Sequence, residues 1–347
     1  MKNKLYLGWD IGGANTKICV FDSNFTIIDV HVKNIKVWNN FDDLKSFFKF
    51  ISNLYENFEI NNFITITAES CDNFADRESG ISEILSNCNY YINGNKLYYT
   101  NSNTYIDYDN ALMSLNSLFS TNWMLTSNFL NSKDNIDLIV DIGSTTTDII
   151  FKDMDIKNNI NDHMRLTNNT LLYIGVVRTP LAMMANNIKF KGDEISLVNE
   201  VFATTGDIFN IINDINFVEL DYLGSDNLKF EKFNSFVRLS RILGFDYKTS
   251  HEKDLIDVSY DFKKLFISKI VDNIKKIFGN KFNDLTISSV GEGRFLIKEM
   301  CALYNIKYWP IENICLNFTE TLDRNKIYSN MTSALVVINF NNIKNYA

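Results

Sequence analysis

The chain contains one short sequence twice, and this repeat constrains its fold more than any other feature. The first copy, DIGGANTK, covers residues 10–17, and the second, DIGSTTTD, covers residues 141–148. In each copy an apolar run ends on an aspartate, a glycine turn follows, and a second apolar run begins. This pattern predicts a strand, a tight turn and a second strand, once in each half of the chain.

The surrounding sequence extends each half into an α/β unit. Apolar residues recur at helical spacing over 42–57, and NFITITA at 62–68 predicts a buried strand. YYINGNKLYY at 90–99 carries an Asn-Gly turn between two aromatic runs and predicts a hairpin. In the second half we expect strands near 137–143, 147–153, 170–175 and 285–290, and helices over 179–188, 199–212, 236–243 and 259–278.

Length and composition fit two packed cores. The 347 residues are 46% hydrophobic, and with two prolines in the whole chain no stiff linker separates the halves. We therefore predict an α/β protein of two similar lobes, residues 1–133 and 134–347, with a cleft between them. The C-terminal helix could pack back on the first lobe.

Charge and cysteine usage narrow the classes of function. The chain has 34 basic and 42 acidic residues, a net charge of −8, and no long basic run, which disfavours a nucleic-acid or anionic membrane surface. The five cysteines form no Cys-x-x-Cys pair and the three histidines lie far apart, so we expect no zinc site. No apolar run approaches the roughly 18 residues of a membrane helix, and we expect a cytoplasmic protein.

The two repeats have the residue types that bind a phosphate and a metal ion. An aspartate that ends a buried strand beside a glycine turn brings a carboxylate close to free backbone N–H groups. Asp10 and Asp141 would repel each other across a cleft unless a cation such as Mg²⁺ lay near both. The phosphate-binding candidates in the repeats are Gly12, Gly13, Asn15, Thr16, Lys17, Gly143, Ser144, Thr145, Thr146 and Thr147. The alternative is that each repeat is only a hairpin turn.

A third glycine turn follows the strand at 285–290. The sequence SSVGEGRF at 288–295 places Gly291 and Gly293 after a strand and before a helix, as expected of a ligand-facing loop. The three turns, in this order, resemble the two phosphate motifs and the third ligand motif of the superfamily of acetate and sugar kinases, Hsp70 and actin. That resemblance implies two ribonuclease H-like lobes with an actin-like ATPase fold.

The fuller sequence resembles the hydantoinase and oxoprolinase-like branch of that superfamily, and within it the synthase family of methanofuran biosynthesis. The resemblance rests on the repeats and on five further segments: TAES with Asp72 at 67–72, Asn122-Trp123, YIGVVRTPL at 173–181, NEVFATTGD at 199–207 and SSVGEG at 288–293. The segment at 224–235 departs from the family's usual sequence.

The resemblance implies a condensation of two small molecules, with Mg²⁺ as cofactor. An aminomethyl-furan-methyl diphosphate would react with γ-glutamyltyramine, forming an aryl ether and releasing diphosphate held by the glycine turns. An ATP-dependent kinase or amidohydrolase is the alternative enzyme, and a nucleotide-gated binding protein is the alternative of another class.

Several charged and hydroxyl residues are candidates for the chemistry of that reaction. Glu69 is the first candidate for the base that activates the phenol, and Asp148 is its rival, although either acid could instead brace local structure. Lys17 would neutralise charge on the leaving group, and Arg178 would bind the diphosphate or the glutamyl carboxylate unless it forms a structural ion pair. Thr204 and Thr205 are candidate cleft residues, with helix packing as the alternative.

Overall fold

The computed structural model describes residues 3–217, 222–314 and 316–346. The first lobe contains a six-stranded sheet in the order β3-β2-β1-β4-β5-β6. Its strands are β1 (Lys4–Ile11), β2 (Asn15–Phe21), β3 (Ile27–Asn34), β4 (Glu59–Ile66), β5 (Asn95–Tyr99) and β6 (Tyr105–Ile106). Its helices are α1 (Phe41–Leu54), α2 (Arg77–Tyr91), α3 (Tyr108–Met113) and α4 (Asn122–Asn131).

The second lobe contains a five-stranded sheet and a separate two-stranded ribbon. The strands are β7 (Leu138–Ile142), β8 (Thr147–Phe151), β9 (Leu171–Leu172), β10 (Asn187–Phe190), β11 (Asp193–Ser196), β12 (Thr286–Val290) and β13 (Lys307–Tyr308). The helices are α5 (Asp162–Thr167), α6 (Thr205–Ile211), α7 (Lys232–Ile242), α8 (Glu252–Phe278), α9 (Arg294–Tyr304), α10 (Arg324–Ser329) and α11 (Met331–Tyr346). The ribbon is β10-β11, and the sheet runs β13-β12-β7-β8-β9.

The two main sheets share one topology. Strands β3, β2, β1, β4 and β5 of the first sheet correspond in order to β9, β8, β7, β12 and β13 of the second. Among these five corresponding strands, the first three are antiparallel to one another and the remaining two pairings are parallel in both sheets; β6, at the edge of the first sheet, is antiparallel to β5. The repeated sequence is therefore a repeated structural unit, as predicted.

Local sequence explains where the helices begin and end. Asn40 caps α1 by accepting a hydrogen bond from the backbone N–H of Asp42, and the buried face of α1 recurs at helical spacing. Asp76 and Ser79 form a reciprocal capping box at the start of α2. The 27-residue α8 ends at Gly279, which has φ of 55°.

The last helix, α11, packs on the sheet of the first lobe. A Cβ atom at Gly8 on β1 would lie 1.9 Å from the Ser333 carbonyl oxygen, so only glycine permits this approach. Val336 and Val337 of α11 join a hydrophobic cluster with residues of both sheets, including Ile139 and Ile150. Separate clusters form the interiors of the two lobes. The third cluster is shared and connects the lobes. The boundary at 133/134 stays a prediction.

Two local predictions were wrong. Residues 90 and 91 end α2, and β5 pairs in parallel with β4, so 90–99 is a helix end and a strand rather than a hairpin. The range 179–188 contains a short 3₁₀ turn and the start of β10 instead of a helix. In the described part of the chain, no helix is long and apolar enough to cross a membrane.

Candidate functional site

The two glycine turns face one cavity of about 470 Å³ between the lobes. Each turn is closed in the same way: the Gly12 N–H donates to the Asn15 carbonyl at 3.0 Å, and the Gly143 N–H donates to the Thr146 carbonyl at 2.9 Å. The predicted residues that line the cavity are Asp10, Gly12, Gly13, Asn15, Lys17, Asp141, Gly143, Ser144, Thr145, Thr146, Asp148 and Arg178.

The strand register gives each turn a pair of facing charged side chains. Asp10 on β1 lies opposite Lys17 on β2, and Asp141 on β7 lies opposite Asp148 on β8. Residues directly opposite in an antiparallel pair project to the same face, with Cβ atoms about 5 Å apart. The two lobes thus contribute equivalent positions, one with an acid–base pair and the other with two acids.

Burial and repulsion raise the pKa values of the central acids. Burial is the main cause for Asp10, and Lys17 partly offsets it. Burial, followed by the negative charge of Asp148, raises the pKa of Asp141 to about 7, while Lys17 lowers it. The Oδ1 atom of Asp10 is buried and has no hydrogen-bond partner. This corner of the cavity is therefore short of positive charge.

Asp148 already has a cationic partner. Its Oδ1 accepts a hydrogen bond from Arg165 Nη2 on α5, and the two side chains form a buried ion pair. The Arg165 guanidinium also lies over the Trp123 ring of α4, 4.6 Å from its centroid. Arg165 was missed in the sequence because no motif surrounds it.

Arg178 connects the second glycine turn to the first lobe. The segment leading to it runs along that turn, where a Cβ atom at Gly175 would lie 2.3 Å from the Thr145 nitrogen. The Arg178 side chain donates to Thr145 Oγ1 at 3.4 Å and lies 4.0 Å from the Trp38 ring centroid. Trp38 follows β3, so this cation–π contact crosses the cleft.

A chain of hydrogen bonds crosses the cleft at the third glycine turn. Asn15 Nδ2 donates to the Tyr222 hydroxyl at 3.0 Å, and that hydroxyl donates to Glu292 Oε1 at 2.7 Å. The other carboxylate oxygen, Oε2 of Glu292, is buried without a hydrogen-bond partner. Burial raises the pKa of Glu292, and Lys17 and Tyr222 lower it. Glu292 lies inside the sequence GEG, yet only its two glycines were identified as candidates.

Tyr222 and Glu292 also line a second, larger cavity of about 880 Å³. Residues from β3, from 214–216 and from α9 and α10 form its walls. Asn15 lines the first cavity. The chain Asn15–Tyr222–Glu292 therefore lies between the two cavities.

Glu69 lies just outside the first cavity. It is 1% exposed, and its Oε1 accepts a hydrogen bond of 2.7 Å from the Ser120 hydroxyl, which does line the cavity. Oε2 of Glu69 has no hydrogen-bond partner. Burial raises the pKa of Glu69 to about 7, although the Ser120 hydrogen bond lowers it.

Some predicted site residues do not line the first cavity. Thr204 and Asp207 form the capping box of α6, and Thr205 Oγ1 donates to the Gly175 carbonyl at 2.6 Å. A Cβ atom at Gly291 would lie 2.5 Å from Asp141 Oδ1, so that turn packs against the acid cluster. The others outside the lining are Thr16, Thr147 and Gly293. The functional roles of all the site residues stay predictions.

The residues present fit a magnesium ion. In the described parts of the chain, no group of three or more His, Cys, Asp and Glu side chains could hold a metal by itself. Mg²⁺, however, is commonly held by one or two carboxylates, with substrate phosphates and water completing its coordination. Asp10 has a buried oxygen without a partner, and Asp141 lies near it in the same cavity. Two carboxylates therefore suffice if the substrate has a diphosphate.

The fold and the arrangement of the candidate site define the structural class of this protein. Two sheets of one topology, each presenting a glycine turn to a shared cleft, are the actin-like ATPase fold. A nucleotide-free structure of acetone carboxylase, solved in a study of ATP-dependent acetone carboxylation, has a TM-score of 0.56 and 10% identity; the match covers 96% of this chain and 70% of that one. At this identity the likeness concerns the fold alone.

Sequence comparison then identifies the family. The Methanocaldococcus jannaschii (4-{4-[2-(γ-L-glutamylamino)ethyl]phenoxymethyl}furan-2-yl)methanamine synthase is 31% identical over 318 residues, covering 87% of this chain and 90% of that protein. The Methanococcus vannielii synthase of the same name is 36% identical over 165 residues, covering 47% of this chain and 73% of that protein. No protein-family model matches the sequence. The chain belongs to this family of synthases and is an enzyme, as the sequence resemblance predicted.

Proposed function

We propose that this enzyme condenses an aminomethyl-furan-methyl diphosphate with γ-glutamyltyramine. The products are an aryl ether and diphosphate, and the reaction belongs to the biosynthesis of methanofuran, a cofactor of one-carbon metabolism. The name of the relatives describes the ether product. The observation that supports the proposal is the pair of opposed glycine turns on one cavity, because backbone N–H groups in such turns can bind the oxygens of a diphosphate leaving group.

The diphosphate lies between the two turns. Backbone N–H groups of the turns and the hydroxyls of Ser144, Thr145 and Thr146 donate hydrogen bonds to its oxygens. Lys17 faces the same space from β2 and supplies a positive charge. Arg178, held against Trp38, lies at the side of the cavity and can bind either the diphosphate or the glutamyl carboxylate.

Asp10 and Asp141 are the residues that would hold Mg²⁺. When bound, the ion neutralises charge on the diphosphate oxygens and so makes the leaving group more stable. It would also relieve the repulsion that contributes to the raised pKa of Asp141, after the larger effect of burial.

The covalent step exchanges one carbon–oxygen bond for another. The bond between the furan methylene and the diphosphate breaks, and its electron pair leaves with the diphosphate. The electron-rich furan ring stabilises positive charge on the methylene while this happens. The phenol oxygen then bonds to that carbon and loses its proton to a base, since a phenol with a pKa near 10 is mostly protonated at neutral pH. ATP takes no part in this balance.

Both carboxylates predicted as the base have structural constraints. Asp148 forms a buried ion pair with Arg165. Glu69 reaches the cavity only through Ser120.

The substrates are small molecules, and we place the reaction in the cytoplasm.

One incubation tests the proposal against its main alternative. Purified enzyme with the furan diphosphate, γ-glutamyltyramine and Mg²⁺ should yield the ether by mass spectrometry and an equal amount of diphosphate, without ATP. Absence of the ether when both substrates bind would defeat the assignment. Release of ADP that depends on a small-molecule substrate would favour the kinase or amidohydrolase alternative instead.

A further inference from the structure

Ser120 joins a buried carboxylate to the cavity that contains the glycine turns. Its side chain is half-buried and lines that cavity. Its hydroxyl donates to Glu69 Oε1 at 2.7 Å, and Oε2 of the same carboxylate is buried without a hydrogen-bond partner. A serine hydroxyl that donates its own proton keeps lone pairs that can accept a hydrogen bond from a ligand. The pair therefore presents to the cavity a hydrogen-bond acceptor that is connected to a carboxylate.

The backbone at Ser120 has a conformation that serine seldom adopts. Its φ of 48° lies in the left-handed region, which favours glycine. The next residue, Thr121, is buried, and its hydroxyl lies 2.9 Å from that of Thr65 on β4, the strand that leads to Glu69. A Cβ atom at Gly80 on α2 would lie 2.7 Å from the Glu69 carbonyl oxygen. Both partners are thus fixed by packing, and a serine in this strained position is explained if its hydroxyl has a function.

The segment that carries Glu69 lies against the first glycine turn. A Cβ atom at Gly13 would lie 2.6 Å from Cys71 Sγ. Thr67, Cys71 and Ser120 line the same cavity as the glycine turns. A molecule bound between the turns and a second molecule bound at Ser120 therefore share one space, as a bond between them requires.

The second lobe contacts the first beside Ser120. Arg77 of α2 lies 5.8 Å from the ring centroid of Phe119, the residue before Ser120, and forms an ion pair of 3.3 Å with Asp162 of α5. The Tyr173 hydroxyl donates to the same carboxylate at 2.6 Å, and Asp162 and Tyr173 both line the cavity. This end of the cavity therefore has walls from both lobes and an aromatic side chain against which a phenol ring can pack.

Glu69 is better suited than Asp148 to accept a proton. Asp148 forms a buried ion pair with Arg165, whereas Glu69 forms no ion pair with any residue that the structure describes. Burial raises the pKa of Glu69 to about 7, although the Ser120 hydrogen bond lowers it. A base with a pKa near the working pH is ionised in a large share of the molecules and still binds a proton well.

We propose that Ser120 and Glu69 form a relay that takes the proton of the phenolic acceptor as the ether forms. The phenol oxygen bonds to the furan methylene, and its proton passes to Ser120 Oγ. The serine's own proton passes at the same time to Glu69 Oε1, so the serine is unchanged. The electron pair of the broken carbon–oxygen bond leaves with the diphosphate. After the ether departs, the proton returns through Ser120 to water.

This inference rests on the proposed function. It adds the residue that touches the phenol, Ser120, and the path by which the proton reaches a carboxylate that does not itself line the cavity.

The first test removes each member of the relay and varies the acidity of the phenol. Ser120→Ala deletes only the hydroxyl, and Glu69→Gln replaces the carboxylate with an amide of similar shape. With γ-glutamyltyramine each should lower kcat about 10²-fold, within the range for general base catalysis. Acceptors fluorinated beside the hydroxyl lose their proton more easily, so the loss should shrink steadily as the phenol becomes more acidic. A purely structural loss would be the same for every acceptor.

The double variant tests whether the two residues act as one unit. Either substitution breaks the relay, so Ser120→Ala combined with Glu69→Gln should have a kcat within about threefold of the slower single variant. Independent roles would instead multiply to a loss of about 10⁴-fold.

Two further variants check the fold and the site. Ser120→Gly also removes the hydroxyl, and glycine adopts a φ of 48° without strain, so this variant should be folded in a melting curve and as slow as Ser120→Ala. Asn305→Gly is the matched control, because Asn305 follows α9 with a φ of 54°, is exposed and lies outside the cavity. It should keep the wild-type kcat.

The outcomes separate the relay from the proposed function. If wild type makes no ether, the proposed function fails. If wild type makes the ether and both Ser120→Ala and Ser120→Gly keep its kcat, the phenol proton does not pass through Ser120. Losses that do not change with phenol acidity, or that multiply in the double variant, would also overturn the relay while leaving the proposed function intact.

Discussion

Replacing Lys17 with methionine should slow the chemical step far more than it weakens binding. Methionine keeps an unbranched side chain of similar length and deletes the charge. Lys17 lies opposite Asp10 in the strand register and lines the cavity. A unit charge about 5 Å from the diphosphate, at an effective dielectric constant near 20, interacts with it by about 3 kcal/mol. Negative charge grows on the leaving group as the bond breaks, so this interaction is strongest in the transition state.

We expect kcat to fall about 10²–10³-fold, with the Kd of the furan diphosphate substrate raised by a smaller factor. Lys4→Met on β1 is the matched control, because Lys4 forms only a surface ion pair with Glu59. Single-turnover rates at pH 7 and pH 9 distinguish two effects of the substitution. One is the loss of positive charge at the diphosphate, and the other is an indirect effect on the ionisation of the acids near Lys17. Burial, followed by Asp148, raises the pKa of Asp141 to about 7 and Lys17 lowers it, so the variant's acids need a higher pH to ionise. A loss that disappears at pH 9, or a kcat equal to that of Lys4→Met, would refute the reasoning.

Three further predictions concern the same cavity. Asp10→Asn and Asp141→Asn should each reduce kcat at least about 10²-fold with unchanged circular dichroism, because both acids are proposed to hold Mg²⁺; full activity without Mg²⁺ would contradict this. Diphosphate with Mg²⁺, at a hundredfold excess over its Kd, should stabilise the protein by about 2.7 kcal/mol, and an unchanged melting curve would count against a phosphate cleft. Burial raises the pKa of Glu69 from 4.5 to about 7, so the folded state binds the extra proton and loses stability as pH rises through that window. Glu69→Gln should therefore gain up to about 3 kcal/mol over wild type between pH 4.5 and pH 8 in denaturant titrations, whereas a constant difference would show that Glu69 titrates normally.

The sequence was sufficient to predict the fold class and the two glycine turns that line the candidate site. Apolar runs, each ending on an aspartate and a glycine turn, determine where strands stop, and both repeats occur at equivalent strand ends. Local periodicity also located α1, α7 and α8 to within several residues. The predictions that failed, at 90–99 and 179–188, rested on short segments. There tertiary pairing overrode the local preference, and β5 joined β4 in parallel rather than the preceding residues in a hairpin.

Only the tertiary structure decided which distant residues lie at the candidate site. Trp38, Arg165 and Tyr222 lie in no motif. Each contacts a residue far from it in the chain: Trp38 contacts Arg178, Arg165 contacts Trp123, and Tyr222 contacts Asn15. Tyr222 donates a hydrogen bond to Oε1 of Glu292, and Oε2 has no hydrogen-bond partner. No local sequence pattern predicts this arrangement. Similarly, the sequence gives no sign that Gly8 differs from the other residues of its strand, yet α11 packs directly against it. Sequence patterns report the periodicity and turns of individual segments, whereas burial, partnership and charge depend on packing between segments that are far apart in the chain.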